Sequence, residues 1–465
     1  MNSAEIAAAC GLKDFATEIA GIGGILKSRY EDFRVEEVGS PPALDKKGRF
    51  TVVKVTLSNW ETNRFVGKLA RVLGISKNRI WFSGTKDKRA ITTQLLVIDA
   101  PLAKVASVEM TDVEIEVLGR SHQKLNFGDH SGNRFTITVR GCSDSDGNPL
   151  EAKEAIARVN AIFESMQLRL GKGKFPNWIG PQRFGATRPV TPVVGRHIIH
   201  DDWEGAVNAY LGMEGIHQHP DVEKFRTHWR KTKDPEKCLE IIPKHLGFER
   251  EMLLHLKKKP EDWLGSFRTL PNNLQLMMVH SLQSEAFNRI IATRLDKGHT
   301  LSKPISGDIV GIVKDSGKVD MAKLVEVDET ILPRISRNCK KGRLAVTGAL
   351  PGSESSYSDS IPGLIEAEVI KDMNLDENDW KVKGIPRLTS KGSRRTLTVS
   401  FSEFSVEEAS EIDQDQLSER FVQGPRADEE WHPEGCNLRL RFTLPSGTYA
   451  TVLMREFMKA PLTQY

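Results

Sequence analysis

Hydrophobic positions along the chain change period several times, and each change marks an element. At the end of Lys27–Val38 the residues alternate, with Phe33 and Val35 on one face and charged residues opposite, the mark of a half-buried strand. Arg49–Leu57 (RFTVVKVTL) reads as a second strand. Thr62–Leu73 switches to helical spacing, with Phe65, Leu69, Val72 and Leu73 at i, i+4, i+7 and i+8. Two short apolar runs follow, Ile80–Phe82 and Leu95–Ile98, both strand-like. Val113–Leu118 and Arg134–Arg140 (RFTITVR) extend the series of strands. Glu151–Leu168 is an amphipathic helix with Ala155, Val159, Ile162 and Phe163 inward. The first 170 or so residues are therefore expected to form an α+β domain with a mostly antiparallel sheet, because short loops join its strands as often as helices do.

Leu168–Arg188 breaks the periodicity. It is a long loop rich in Gly, Pro and basic residues, and loops of that length usually carry function. From about His200 the texture changes. Residues 201–300 are helix-rich and carry basic clusters such as Lys224–Lys233, and Pro271–Leu295 contains a long helix. Residues 301–385 turn to strands and turns, and strands resume at Thr396–Phe401 and Asn437–Leu444. Ser446 or Thr448 is expected to cap a terminal helix. Residues 1–20 read as a short helix or arm, and the acid-rich Glu403–Glu419 as a solvated linker or helix face.

Composition narrows the class. With 465 residues, two or three domains are expected. A hydrophobic content of 39% and a charged content of 28% exclude wholesale disorder. The net charge of +4 is only mildly basic, so nucleic-acid binding has to be argued from local patches. The five cysteines are scattered and form no Cys-x-x-Cys, which argues against a disulfide framework or a zinc site and for a reducing cytoplasm. His197/His200 and His217/His219 read as ordinary histidines rather than metal ligands. No apolar run reaches ~18 residues, and the N-terminus lacks the pattern of a signal peptide. No phosphate loop, nucleophile elbow, kinase or deaminase set is found.

The chemistry concentrates in Gly84-Thr85-Lys86-Asp87-Lys88-Arg89, which connects the two short apolar runs. A single carboxylate, Asp87, stands among three cations, and opposite charges nearby favour the charged form. That suits a nucleophile or base acting on a polyanion, although a solvated turn explains the pattern equally well. Three further segments share the texture: Lys27–Glu37, Pro176–Gly185 and Leu444–Lys459. Together the four place aromatics beside cations and amides, as base stacking and phosphate contacts require.

In this order, Glu-Asp-Phe-Arg-Val-Glu-Glu (31–37), Gly-Thr-Lys-Asp-Lys-Arg-Ala-Ile-Thr-Thr-Gln (84–94), Gly-Asn-Arg-Phe (132–135), Pro-Asn-Trp-Ile-Gly-Pro-Gln-Arg-Phe-Gly (176–185) and Leu-Pro-Ser-Gly-Thr-Tyr-Ala-Thr-Val-Leu-Met-Arg-Glu-Phe (444–457) make the chain resemble the TruD family of tRNA pseudouridine synthases, in its archaeal and eukaryotic-like branch. The resemblance covers nearly the whole chain. It implies an α+β catalytic domain with a mixed, mostly antiparallel sheet built from both chain ends (1–200 and 386–465), and an inserted domain between them (201–385). It implies isomerisation of uridine to pseudouridine in tRNA, at position 13, by a monomeric cytoplasmic enzyme that needs no cofactor, metal or membrane. The catalytic aspartate falls on Asp87, substrate contacts fall on Phe33, Asn177 and Tyr449, and a basic residue near the site falls on Lys27. Lys86 and Arg89 are expected to hold Asp87 charged and aimed, and Arg183 to contact the RNA. One departure is Ile179, where many relatives carry an aromatic; Trp178 is the candidate substitute. Two other readings stand beside this one. The chain could be a catalytically silent RNA-binding protein of the same fold. It could also be a hydrolase using Asp87 as one of two carboxylates, although no second acid stands out in the four segments.

Overall fold

The structure, a computed structural model, describes residues 2–314, 319–409 and 419–465. Through β1 (Gly23–Ile25), β2 (Phe33–Val38), β3 (Phe50–Ser58), β4 (Ile80–Phe82), β5 (Ile91–Ile98), β6 (Val113–Ser121) and β7 (Gly132–Cys142) the chain lays down most of one sheet. β8 (Lys174–Pro176) leaves it, and β9 (Ile309–Val313), β10 (Val319–Glu326) and β11 (Leu344–Leu350) begin another. β12 (Ser393–Thr396), β13 (Thr398–Ser400), β14 (Ser402–Glu408) and β15 (Leu438–Pro445) bring the chain back. The large sheet has nine strands in the order β14-β15-β7-β2-β5-β3-β6, with β1 added to β7 and β4 to β5. Its pairings are antiparallel except that of β2 with β5. Both chain ends thus build one α+β sheet, because β15 pairs with β7 along its full length, from Leu438 opposite Val139 to Pro445 opposite Gly132.

The alternation legible in the sequence decides which faces are buried. Phe135, Ile137 and Val139 of β7 and Leu438, Leu440, Phe442 and Leu444 of β15 turn to one core. The helix Ala152–Leu170 covers that core with Ala155, Val159 and Ile162. A second cluster packs Val53, Val55 and Leu57 of β3 against Phe65 and Leu69 of the helix Thr62–Val72. That helix starts where the Glu61 carboxylate accepts the backbone N–H groups of Asn63 and Arg64, satisfying two of its free donors. A separate core, drawn from residues between Val190 and Leu388, is mostly helical. The long helix Asn272–Asp296 contributes to both: Met278 and Leu282 face that core, and Phe287 and Ile291 face the first.

Three sequence expectations change here. Thr396–Phe401 is not one strand. β12 joins a four-stranded sheet ordered β10-β9-β11-β12, β13 pairs with β8, and β14 joins the large sheet. Consecutive residues find backbone partners on three different sheets, which period alone cannot reveal. The first part of the acid-rich Glu403–Glu419 is strand β14 rather than linker or helix. Its acids face cations across the ladder, Glu403 pairing with Arg134 (3.2 Å) and Glu407 with Arg441 (2.8 Å). Residues 410–418 of that stretch lie outside the described residues. Finally, neither Ser446 nor Thr448 caps the terminal helix Ala450–Met458; its N-cap position is Tyr449, with no side-chain cap bond.

The two ends are also locked together. Buried Arg455 donates to the carbonyls of Asp14 (2.8 Å) and Leu12, and buried Glu456 accepts from the Ala16 N–H at 2.8 Å. Residues 1–20 are accordingly a short helix, Ser3–Ala9, followed by a docked arm. Among the described residues no helix is long and apolar enough to cross a membrane, and no three His, Cys, Asp or Glu side chains group as a metal site.

Candidate active site

Asp87 sits between β4 and β5, at the rim of a cleft of about 460 Å³. Phe33 and Phe135 line the cleft from β2 and β7, and Tyr449 lines it from the loop before the terminal helix. The strands explain this convergence. Val35 pairs with Phe135 across β2 and β7, so Phe33, Val35 and Phe135 share one face of the sheet. The rings of Phe33 and Phe135 meet edge-on with centroids 6.1 Å apart.

The side chain of Asp87 is 65% exposed, and its Oδ2 accepts a hydrogen bond from Lys27 Nζ at 3.0 Å. The same ammonium lies 4.4 Å from the centre of the Phe33 ring. Lys27 adopts φ 53°, a left-handed conformation that turns the chain sharply just before β2. A lysine so held between a ring and a carboxylate aims the acid, and because the carboxylate is open to water the pair adds little stability.

Lys86 and Arg89 do not hold Asp87 as the sequence suggested. Lys86 Nζ turns inward to Glu37 Oε2 at 3.1 Å, where both side chains are nearly sealed from solvent. Ser83 Oγ donates to the other Glu37 oxygen (3.0 Å), and the Lys86 backbone N–H donates to Thr62 Oγ1 (2.9 Å). Arg89 Nη2 donates to the Ser28 carbonyl at 2.9 Å. Residues 27–28 and 87–89 therefore clasp each other twice, and Lys86 pins the segment from below. The reason is positional: neighbours of Asp87 along the loop point elsewhere, while a residue sixty positions earlier reaches it.

The structure does not bring Asn177 into the cleft. Its amide nitrogen donates to Thr396 O and Oγ1 (both 2.9 Å), and its carbonyl oxygen accepts from Arg395 Nη2 at 2.5 Å. Trp178 also turns away, donating from Nε1 to Glu456 Oε1 at 2.8 Å, and so offers no ring in place of the missing aromatic. Ile179 is clamped through its backbone by Asn288, at 2.8 Å on its N–H and 3.0 Å on its carbonyl. From this loop, Gln182 reaches the cleft wall and donates to Thr451 Oγ1 at 3.3 Å. Arg183 does not line the cleft; its charge adds to desolvation in lowering the pKa of His280.

Sequence reasoning missed several side chains. Glu37 was within a matching segment but had no role. Phe127 and His130 reach the cleft from the β6–β7 loop. The His130 ring packs against Gly84, where a Cβ would stand 3.2 Å from Cε1, and its Nδ1 is buried without a partner. Burial, then the Lys86 charge, holds this imidazole below its ordinary pKa, against the opposing effects of Glu37 and the Ser83 backbone. The proximity of that loop to the Gly-Asn-Arg-Phe segment was its one available signal. Nothing in the sequence pointed to Arg395.

Comparison with known proteins agrees with this architecture. The family model for tRNA pseudouridine synthase D (TruD) matches residues 9–457. A Methanococcoides burtonii protein named as a probable tRNA pseudouridine synthase D is 37% identical over 450 residues, covering 97% of this chain and 96% of the relative. A Methanosarcina acetivorans protein of the same name is 34% identical, covering 99% of this chain and 98% of the relative. The crystal structure of the Methanosarcina mazei protein bearing that provisional name superposes with a TM-score of 0.83 at 33% identity, covering 99% of each chain. With the family motifs in order and the fold shared end to end, the chain belongs to the tRNA pseudouridine synthase D family.

Proposed function

We propose that the cleft converts a uridine of tRNA to pseudouridine, at position 13 in the D arm, with Asp87 as its indispensable carboxylate. The observation that carries this reading is an exposed Asp87, bridged to Lys27, at the rim of a cleft walled by Phe33, Phe135 and Tyr449. The isomerisation breaks the N1–C1′ bond, turns the base and joins C5 to C1′; C5 then gives up its proton and N1 takes one up, so the atoms balance. Asp87 serves at the ribose, by attack on C1′ or by removal of the C2′ proton. The uridine is extruded from its stack into the cleft, where Phe33 and Tyr449 face it. Lys27 keeps the carboxylate aimed. Cationic side chains around the cleft and on the inserted unit, such as Lys224–Lys233, hold the phosphates, so binding weakens with salt.

The proposed organisation is a catalytic unit of residues 1–200 and 386–465, interrupted by an insertion at 201–385. A separate core drawn from residues between Val190 and Leu388 supports it, while Leu301, Val310, Val327, Ile335 and Val346 of the same stretch pack into the first core and join the insertion to the catalytic unit. A cytoplasmic monomer fits the substrate. The test is sequence-resolved pseudouridine mapping on tRNA treated with the purified protein. Conversion at position 13 supports the reading. Tight tRNA binding without conversion would favour the catalytically silent alternative, and strand cleavage or free uracil a hydrolase.

A further inference from the structure

Phe127 is 76% exposed, the more exposed of the two aromatics among the large exposed hydrophobics of the described residues; the other, Phe248, is 48% exposed. It projects at the edge of the cleft that holds Asp87. A single exposed apolar ring is ordinary by itself, but one at the edge of a cleft lined by other aromatics marks a contact surface.

The support is rigid. Asp129 Oδ2 accepts from the Asn126 backbone N–H (2.7 Å) and side-chain amide (3.2 Å), closing a tight turn around Phe127. The next residue, Gly128, has φ +94°, which suits glycine, and its N–H donates to the Ser83 carbonyl at 2.7 Å. Leu125, two residues before Phe127, is buried in a cluster with Phe50 and Val52. Ser83 directly precedes the Gly84–Asp87 segment. The turn that presents Phe127 is therefore tied to the backbone that presents Asp87.

Phe127 lines the same cleft as Phe33, Phe135 and Tyr449, so its exposed ring belongs to the surface that a substrate in the cleft meets. A flat exposed ring at the edge of a nucleotide-sized cleft fits a nucleobase. Phe33 and Tyr449 already face the cleft interior, which leaves the rim ring for the base next in line. We propose that Phe127 stacks on the nucleotide flanking the extruded uridine and fills the gap that the uridine leaves. This rests on the activity proposed above. An aromatic wedge of this kind lowers the cost of extrusion, because stacking lost by the target's neighbour is regained on protein.

The experiment is a coupled cycle using the full-length protein. Wild type, Phe127→Ala and Phe127→Trp are assayed on a tRNA transcript and on transcripts with an abasic residue on the 5′ or the 3′ side of the target. Phe127→Ala is expected to lower kcat/KM about tenfold on the intact transcript, in line with the loss of one stacked base. Phe127→Trp should retain activity. On the transcript abasic at the stacked position, wild type should fall to the level of Phe127→Ala, with no further loss in the mutant. Equal kcat/KM for wild type and Phe127→Ala, or losses that add at both abasic positions, would overturn the proposal. The melting temperature of Phe127→Ala should match wild type, since the ring is exposed. Failure of the wild type itself to form pseudouridine would overturn the proposed activity and this inference with it. A normal wild type beside a normal Phe127→Ala would overturn this inference alone.

Discussion

Two ion pairs on the same short segment have opposite characters. Lys86 and Glu37 meet at 3.1 Å in a site almost sealed from solvent, braced by Ser83 and Thr62. Lys27 and Asp87, one residue along, meet at 3.0 Å with the carboxylate 65% exposed. The buried pair fixes where the segment lies. The open pair leaves an acid free to meet a substrate while one cation limits its direction. Charge alone does not tell the two apart; desolvation does, because a buried charge without its partner is costly and an exposed one is not.

That contrast can be broken in several ways. The largest effect is expected from Asp87→Asn, which should reduce tritium release from 5-tritiated tRNA to background, while tRNA affinity stays within a few-fold and the melting temperature is unchanged. Normal turnover by this mutant would remove Asp87 from the chemistry. Lys86→Met leaves Glu37 buried and unpaired, and should destabilise the chain by about 3–5 kcal/mol in denaturant unfolding. Wild-type stability in that mutant would erase the difference between the pairs. Lys27→Met should cost at most about 1 kcal/mol of stability. Its kcat/KM should fall by about ten- to a hundredfold, because a misaimed carboxylate loses most of its advantage. A loss of stability without a loss of rate would reverse the roles assigned to the two lysines.

Smaller effects sharpen the picture. Asn177→Ala removes the side-chain acceptor of half-buried Arg395, and should cost about 1–3 kcal/mol in unfolding. If its turnover fell while its stability held, the amide would have to turn toward the substrate during the reaction. The smallest effect concerns pH. His130 is half-buried and sits below its ordinary value of 6.5, chiefly through burial. Between that value and the folded one, the unfolded chain binds more protons, so stability rises with pH across the window. Stability from this group is complete above about pH 6.5 and is lost as pH falls through the folded value. Thermal melts at pH 7 and pH 5.5 should show the decline, and His130→Gln should flatten it.

Much of the large sheet could be read directly. β2, β3, β6, β7 and β15 carry alternation that states which side is buried, and each lies close to its expected span. The run Ile80–Phe82 matches β4, and the helices Thr62–Val72 and Ala152–Leu170 follow from their period. β5 was seen only from Leu95, since Thr92 and Gln94 look polar yet are buried. In the site, Phe33, Asp87, Lys27 and Tyr449 come together as the resemblance implied, and Lys86 lies below them facing Glu37. Asn177 and Arg183 lie in the right loop but face Arg395 and the His280 side.

Local pattern by itself determined most of the elements, most of their buried faces (Val72 is exposed rather than inward) and the segment that holds the acid, because period and neighbouring charge are properties of consecutive residues. Only the tertiary structure decided which cation reaches Asp87, that β12, β13 and β14 serve three sheets, and that Phe127 stands at the rim of the cleft. Those outcomes depend on residues brought together from Lys27 to Tyr449, and on which of them are cut off from water. Neither is written in the order of the chain.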